Sequence, residues 1–469
     1  MMLAPATVGC RSMQPPRTGS AHPGSEIVRI DDASGATDVA ASNSSRRAQS
    51  PNNADRVARA TYDAPPQLAD EPEVVEPPSP RSLALADFEA IAFESNPTLS
   101  HAAARVDAAI GRQVQAGLYP NPRAGYHAMN MGNQGTSGEQ GAFISQQFVL
   151  WGKLRLDSAM AGTQIDEAHF RLEAQEQRVL TDVRTRFYEA LVAQRRVELS
   201  TELARIGDEL VEAAETLLEN RQGTENDVLQ AQIRADESHI LLDNATNELL
   251  EAWQRLAAVA GVPNMPAASL TGALDSDVPE LNWETYRAMV LEGHPELEAA
   301  RARAERADIA IDRARREPLP NVDVSLSLRH DNSDAEDLAN LEIGIPIPVF
   351  DRNQGNVRAA EAEWIAANNE VERIELDLRD QLAMAYRRYA NARQQVERYR
   401  DRIVPRAKES LELVTGGYEE GQVEYLTLLV AQQTYIQVNL SYLDSLRELR
   451  TSAAMLEGQL LTGSLTEGR

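Results

Sequence analysis

Two stretches of the chain, about 200 residues apart, carry the same landmarks in the same order, a spacing that marks a duplicated domain rather than a solenoid. Asn96-Pro-Thr-Leu99 corresponds to His294-Pro-Glu-Leu297, and Tyr119-Pro-Asn121 to Leu319-Pro-Asn321. Val149-Leu-Trp-Gly152 falls where Pro348-Val-Phe-Asp351 does, and Arg221-Gln-Gly223 where Glu419-Glu-Gly421 does. The chain therefore divides into a leading segment, 1–81, a first repeat, 82–275, and a second, 276–469.

Each repeat reads as helix, strand, loop, strand, long helix, turn, helix. In the second, Val322, Val324, Leu326 and Leu328 alternate with polar residues, as do Leu341, Ile343, Ile345 and Ile347 with Glu342, Gly344, Pro346 and Pro348. That is strand spacing with one apolar face, and the prolines suit a strand end. The first repeat has weaker strands, Ala124 to Met131 and Ala142 to Val149, joined by a Gly-rich loop from Gly132 to Gly141. Within Gly344-Ile-Pro-Ile-Pro-Val-Phe-Asp-Arg-Asn-Gln-Gly-Asn356 the period changes from two to about three and a half. Val357, Ala360, Trp364, Ala367, Val371, Ile374 and Leu378 then step by threes and fours, predicting one helix from about Gln354 to Glu419. At 1.5 Å per residue it would reach roughly 100 Å, too long for a membrane span of about 30 Å. Extra four-residue steps at Ile374, Leu378, Leu382 and at Ile403, Ala407, Leu411 loosen the coiled coil, as neighbours on a wide tube require. Pro405 predicts a kink.

A chain of 469 residues with only 5% aromatics suits long helices with Ala and Leu seams better than a thick core. Its net charge of -26 argues against a nucleic-acid surface, which needs clustered positive charge. One cysteine, Cys10, excludes an internal disulfide framework and a cysteine zinc cluster. No run of 18 apolar residues predicts a membrane helix, which leaves a β-barrel open, since its strands are short and alternating. Residues 1–10 are short for a signal peptide and read as a truncated or misplaced start; residues 11–81, rich in Pro, Ser, Ala and Asp, read as a disordered tether.

The proline-rich strand end running into Phe350-Asp351-Arg352-Asn353-Gln354-Gly355 resembles the TolC-type outer-membrane efflux factors, in the branch that serves heavy-metal cation exporters. The resemblance extends over about residues 83 to 462. It implies a mainly α protein with β: a duplicated unit whose homotrimer forms a twelve-stranded barrel continued by a periplasmic helical barrel. Four strands cannot close a barrel in lipid, whereas three chains supply twelve. It further implies an outer-membrane site, passage powered by an inner-membrane cation exporter through a periplasmic adaptor, and no catalysis, cofactor or nucleic-acid partner. Thr7-Val-Gly-Cys10 resembles a degenerate lipoprotein box, making Cys10 a lipidation candidate, with a plain unpaired cysteine as the alternative.

By the same resemblance the two helix-to-helix turns are the tips on which the adaptor docks, with Arg221, Gly223 and Thr224 on one and Gly417, Tyr418 and Gly421 on the other. Glycine is available in both for left-handed geometry. The aspartates that constrict the best-known family member are matched here by Thr427 and Val430, and its tip arginine by Val423. Glu225, Asp227, Glu420 and Glu424 are the substitutes near the pore entrance, where threefold carboxylate rings would attract cations. Ordinary exposed turn carboxylates are the alternative. Trp151 and Phe350, at matching strand ends, are candidates for the aromatic girdle at the membrane interface, or else pack where a helix meets a strand.

The seven histidines form no HExxH or paired spacing, and no nucleophile elbow or phosphate loop occurs. His127, Met129 and Met131, at i, i+2 and i+4, would lie on one strand face and suit a soft cation such as Cu(I), with barrel or loop packing as the alternative. Two rivals to a channel remain: a periplasmic adaptor, which should have one hairpin inserted in small β-domains, and a soluble coiled-coil scaffold, which needs no strand pairs.

Overall fold

The computed structural model describes residues 82–132, 135, 137–275 and 280–466. Cys10 and the tether expected over 1–81 lie outside the described residues, as does part of the first strand-to-strand loop. All described residues fall within one compact unit, Val75–Arg469.

The duplication is visible element by element. The first repeat runs β1 (Ser82–Leu83), α1 (Leu85–Ser95), α2 (Pro97–Ala116), β2 (Arg123–Met129), β3 (Glu139–Phe148), α3 (Lys153–Glu219), α4 (Glu225–Val259) and β4 (Ser269–Leu270). The second runs α5 (Trp283–Glu292), α6 (Pro295–Arg316), β5 (Val322–Asp331), β6 (Glu336–Gly344), α7 (Gln354–Arg398), a π-turn (Tyr399–Ile403), α8 (Val404–Glu419) and α9 (Tyr425–Glu457). The short pair β1 and β4 is parallel, Ser82 opposite Ser269. Among the described residues no helix is long and apolar enough to cross a membrane.

The expected kink takes a specific form. Pro405 has no N–H to give and its ring crowds the carbonyl four residues back, Asp401. The helix answers by widening ahead of it: Val404 N–H donates to the Tyr399 carbonyl, five residues back. The single helix predicted from 354 to 419 is therefore two α-segments joined by a π-turn, whereas its counterpart α3 runs unbroken for 67 residues.

One core sits where the two repeats meet. Phe88 of α1 packs against Phe187 of α3 and edge-on to Trp253 of α4, with ring centroids 6.0 and 5.9 Å away, and Leu382, Tyr389, Leu449 and Leu456 close the same cluster. Arg450 of α9 pins the segment between the repeats, donating to the carbonyls of Leu274 (2.8 Å) and Ala273 (2.9 Å).

β2, β3, β5 and β6 make a single antiparallel sheet in that order. Register sets Ala124 opposite Ile144, Ile144 opposite Leu326, and Leu326 opposite Leu341. Among the described residues the outermost strands, β2 and β6, each have one neighbour only.

Candidate functional site

Because side chains alternate along a strand, the register sorts the sheet into two faces. One carries Ala124, Tyr126, Ala142, Ile144, Val324, Leu326, Leu328, Ala339, Leu341 and Ile343, with Gln146 at the helix end and Gln140, His330 and Asp337 at the other; the opposite face carries Gly125, His127, Ser145, Asp323, Ser325, Ser327, Arg329, Asn340 and Glu342, with Phe143 and Leu338 among them. In a water-soluble sheet the apolar face would be the covered one. Here Leu328, Leu341 and Ile343 are 61–66% exposed; on the other face Ser325, Ser327 and Arg329 of the inner strand β5 are half-buried, while Asp323, Asn340 and Glu342 are exposed. A sheet with large aliphatic residues open on one face and polar residues gathered on the other suits lipid on one side and water on the other.

At the helix end of the sheet, Trp151 is half-exposed and donates its indole N–H to the Pro320 carbonyl at 2.8 Å, while Phe350 is almost wholly exposed. The chain turns into α3 through Gly152 (φ +70°) and into α7 through Asn353 (φ +59°). At the opposite end, His127 and Met129 share the polar face, but β2 stops at Met129. Asn130 takes a left-handed φ of 54°, so Met131 sits in the turn beyond and does not extend that face. The Met129 thioether lies 3.6 Å from the Arg329 guanidinium.

The two tips close with the same hydrogen bonds. Gln222 N–H donates to the Leu217 carbonyl and Gln422 N–H to that of Gly417, both at 2.8 Å, each bridging a residue in left-handed geometry. Those residues are Arg221 (φ +59°) and Gly421 (φ +69°). Gly223, the glycine expected to provide that geometry in the first tip, does not; it is closely packed, and a Cβ there would stand 3.2 Å from that of Leu217. Gly421 thus pairs with Arg221, not Gly223. Thr224 caps α4 in a reciprocal box with Asp227, whose carboxylate accepts from Thr224 N (3.0 Å) and Oγ1 (2.8 Å). Asp227 is half-buried in that role, whereas Glu225, Glu420 and Glu424 are exposed. Tyr418 is buried against Tyr425, ring centroids 5.7 Å apart, in a cluster with Leu210, Val228 and Leu428 that fastens the α3–α4 hairpin to the α8–α9 hairpin. Burial raises both tyrosine pKa values, and the Asp227 charge acts in the same direction. Nothing in the sequence around Tyr425 pointed to this partnership.

Midway, the Asn96 and His294 landmarks prove to be matched helix caps. Asn96 Oδ1 accepts from Thr98 N (2.9 Å) and its Nδ2 donates to the Val259 carbonyl (2.7 Å). His294 Nδ1 accepts from Glu296 N (3.2 Å) and its Nε2 donates to the Gln459 carbonyl (3.0 Å). Each cap therefore joins the start of one helix to the chain at the end of another, α2 to α4 and α6 to α9. Nearby, the buried carboxylate of Glu167 faces three guanidiniums, those of Arg171 (2.7 Å), Arg303 (3.0 Å) and Arg306 (2.8 Å), holding α6 against α3. Among the described residues, no group of three or more His, Cys, Asp or Glu is placed to hold a metal ion.

Comparison with known proteins agrees with this geometry. The family model described as outer membrane efflux protein matches twice, over residues 90–262 and 287–460. The cobalt-zinc-cadmium resistance protein CzcC of Cupriavidus metallidurans is 27% identical over 369 residues, covering 78% of this chain and 87% of that one. The nickel-cobalt-cadmium resistance protein NccC of Alcaligenes xylosoxydans xylosoxydans is 23% identical, over 60% of this chain and 64% of its own. Among solved structures, CusC superposes with a TM-score of 0.70 at 17% identity, covering 81% of this chain and 92% of that one. The outer membrane protein VceC of Vibrio cholerae superposes with a TM-score of 0.68 at 18% identity, over 81% and 96% of the two chains.

Proposed function

The chain belongs to the outer membrane efflux protein family, and from that premise we propose that it is the exit duct of a tripartite pump for heavy-metal cations. In this reading three chains pair β6 of one protomer with β2 of the next and close a twelve-stranded barrel, continued into the periplasm by the helices. It is a conduit and not an enzyme; the driving energy comes from an inner-membrane cation exporter reached through a periplasmic adaptor. The observation that carries the reading is the sheet: Leu328, Leu341 and Ile343 stand exposed on one face, polar residues gather on the other, and among the described residues both of its edges are unpaired, an arrangement that lipid and two further copies would satisfy. The cation class is supported by the resistance proteins named above.

The repeats 82–275 and 276–469 are the duplicated halves of the duct, and Cys10 is its lipid anchor. Arg221, Gly223, Thr224, Gly417 and Gly421 form the surface the adaptor grips, and Tyr418, expected among them, braces it from within the core beneath. Glu225, Asp227, Glu420 and Glu424 line the periplasmic entrance, with Asp227 also holding the α4 cap. Trp151 and Phe350 lie at the inner membrane–water boundary of the barrel, and His127 and Met129 face its lumen. Purified chain should fractionate with the outer membrane, extract in detergent as a trimer and conduct ions in planar bilayers. Its deletion should lower tolerance to cobalt, zinc, cadmium or nickel. A soluble monomer overturns the duct; a trimeric pore whose deletion leaves tolerance to all four metals unchanged overturns the substrate class alone.

A further inference from the structure

An ion pair on the polar face of the sheet lies at the end away from the helices, far from the tips. Arg329 of β5 stands opposite Gly141 of β3. Its Nη1 reaches Glu139 Oε2 at 2.8 Å, a diagonal same-face neighbour within range of a long side chain. Asn130 Nδ2 holds the other carboxylate oxygen, at 3.1 Å. Both charged side chains are less than a fifth exposed even with this face of the protomer open. Glycine at 141 makes room for the arginine: a Cβ there would stand 2.0 Å from the Leu328 carbonyl oxygen and 2.7 Å from Arg329 Cγ. The guanidinium stem can therefore lie flat along the sheet instead of projecting from it.

The register shows what this cation is set against. Glu139 is opposite Asp331, and Asp331 opposite Glu336, so three carboxylates of one protomer share a single row of the polar face. Arg329 is the adjoining charge and compensates one of them.

We infer that Arg329, folded over Gly141 onto Glu139, sets the charge selectivity of the outer mouth of the channel. The inference rests on the barrel reading above, in which the polar face is the lumen. In the trimer each guanidinium cancels Glu139 and leaves Asp331 and Glu336 uncompensated, so the mouth keeps a moderated cation preference. Charges ringing a water-filled lumen act on passing ions through screened Coulomb interactions, and deleting one per protomer changes the local ion balance by a factor on the order of three. The ligand recognised is any small cation leaving the pore, and the cost of a deeper preference would be slower release.

The test uses the full chain as a detergent-extracted trimer in planar bilayers, with the potassium-to-chloride permeability ratio read from the reversal potential in a KCl gradient. Arg329→Gln should raise that ratio about threefold and Glu139→Gln should lower it by a similar factor. The double variant, with no net change in charge, should return close to the parent. A merely structural pair would instead move the ratio in the same direction in both single variants, each of which strands one charge. Asp331→Asn breaks no ion pair and should lower the ratio as Glu139→Gln does, which keeps the test open if either single variant fails to assemble. Ratios that do not move, or that move in one direction for both single variants, overturn the inference. A parent chain that forms no conducting pore overturns the duct reading instead.

Discussion

Replacing His294 by asparagine should leave the protein folded yet remove part of its sensitivity to acid. The imidazole is fully buried at the cap of α6, and its Nδ1 must be unprotonated to accept from Glu296 N–H while Nε2 donates to Gln459. Burial pushes its pKa below the ordinary value; the Glu296 charge and the Gln459 carbonyl oppose that shift, and Arg178, itself paired with Glu296, adds to it. In the unfolded chain the ring takes up a proton as pH falls through about 6.5, while in the folded chain it does so only at lower pH. The cap's contribution is thus complete above about 6.5 and declines as pH falls toward the folded pKa, by at most about 1.4 kcal/mol per pH unit per protomer. Asparagine performs the same two bonds at position 96 without titrating, so His294→Asn should lie within about 1 kcal/mol of the parent at pH 8. His294→Ala, which loses the cap and leaves the Gln459 carbonyl unpaired, should cost about 3 kcal/mol. Urea unfolding followed by circular dichroism between pH 8 and 5.5 reads all three. Parallel pH profiles for the parent and the asparagine variant would refute the assignment of this tautomer and its burial.

The tip turns offer a second comparison: Arg221→Gly should stabilise the first tip by up to about 1 kcal/mol by relieving left-handed strain, and Gly421→Ala should cost the second about as much, both read by hydrogen exchange at the tips. Lysine for Leu341, on the exposed apolar face, should cost about 2 kcal/mol in lipid and cut the yield of membrane-inserted trimer, while lysine for Ser327 on the other face should be tolerated. Glu167→Gln leaves three guanidiniums against a neutral amide and should destabilise the α3–α6 contact by about 3 kcal/mol, seen as a lower urea midpoint at neutral pH.

The strand pairs, the long helices and both tips were legible because each writes a period or a stop into the chain. Leu326 and Leu341 alternate as a half-exposed strand must, and the Pro346–Pro348 end is where the sheet gives way to α7. What was hidden depended on geometry that composition does not carry. Glycine at 223 suggested a left-handed turn, but the two tips match best two residues earlier, which puts an arginine in that conformation. Met131 kept the spacing of His127 and Met129, yet the turn at Asn130 removes it from their face. The capping roles of Asn96 and His294 were present only as a shared position before proline. Glu167 looked like any other acid on an amphipathic helix until α6 brought two further arginines to it. β1 and β4, two residues each, are too short to leave a periodic trace.

The π-turn ahead of Pro405 bears on mechanics. A helix of 67 residues is a strut of about 100 Å, able to pass a push or a twist from one end to the other. Its counterpart in the second repeat is the same strut with an elbow, and the elbow lies on the tip side of the core that joins the two repeats. Each protomer thus carries a stiff beam beside a jointed one, and three protomers around an axis would alternate them. A ring assembled from alternately stiff and jointed members would yield under load at three places, one in each protomer.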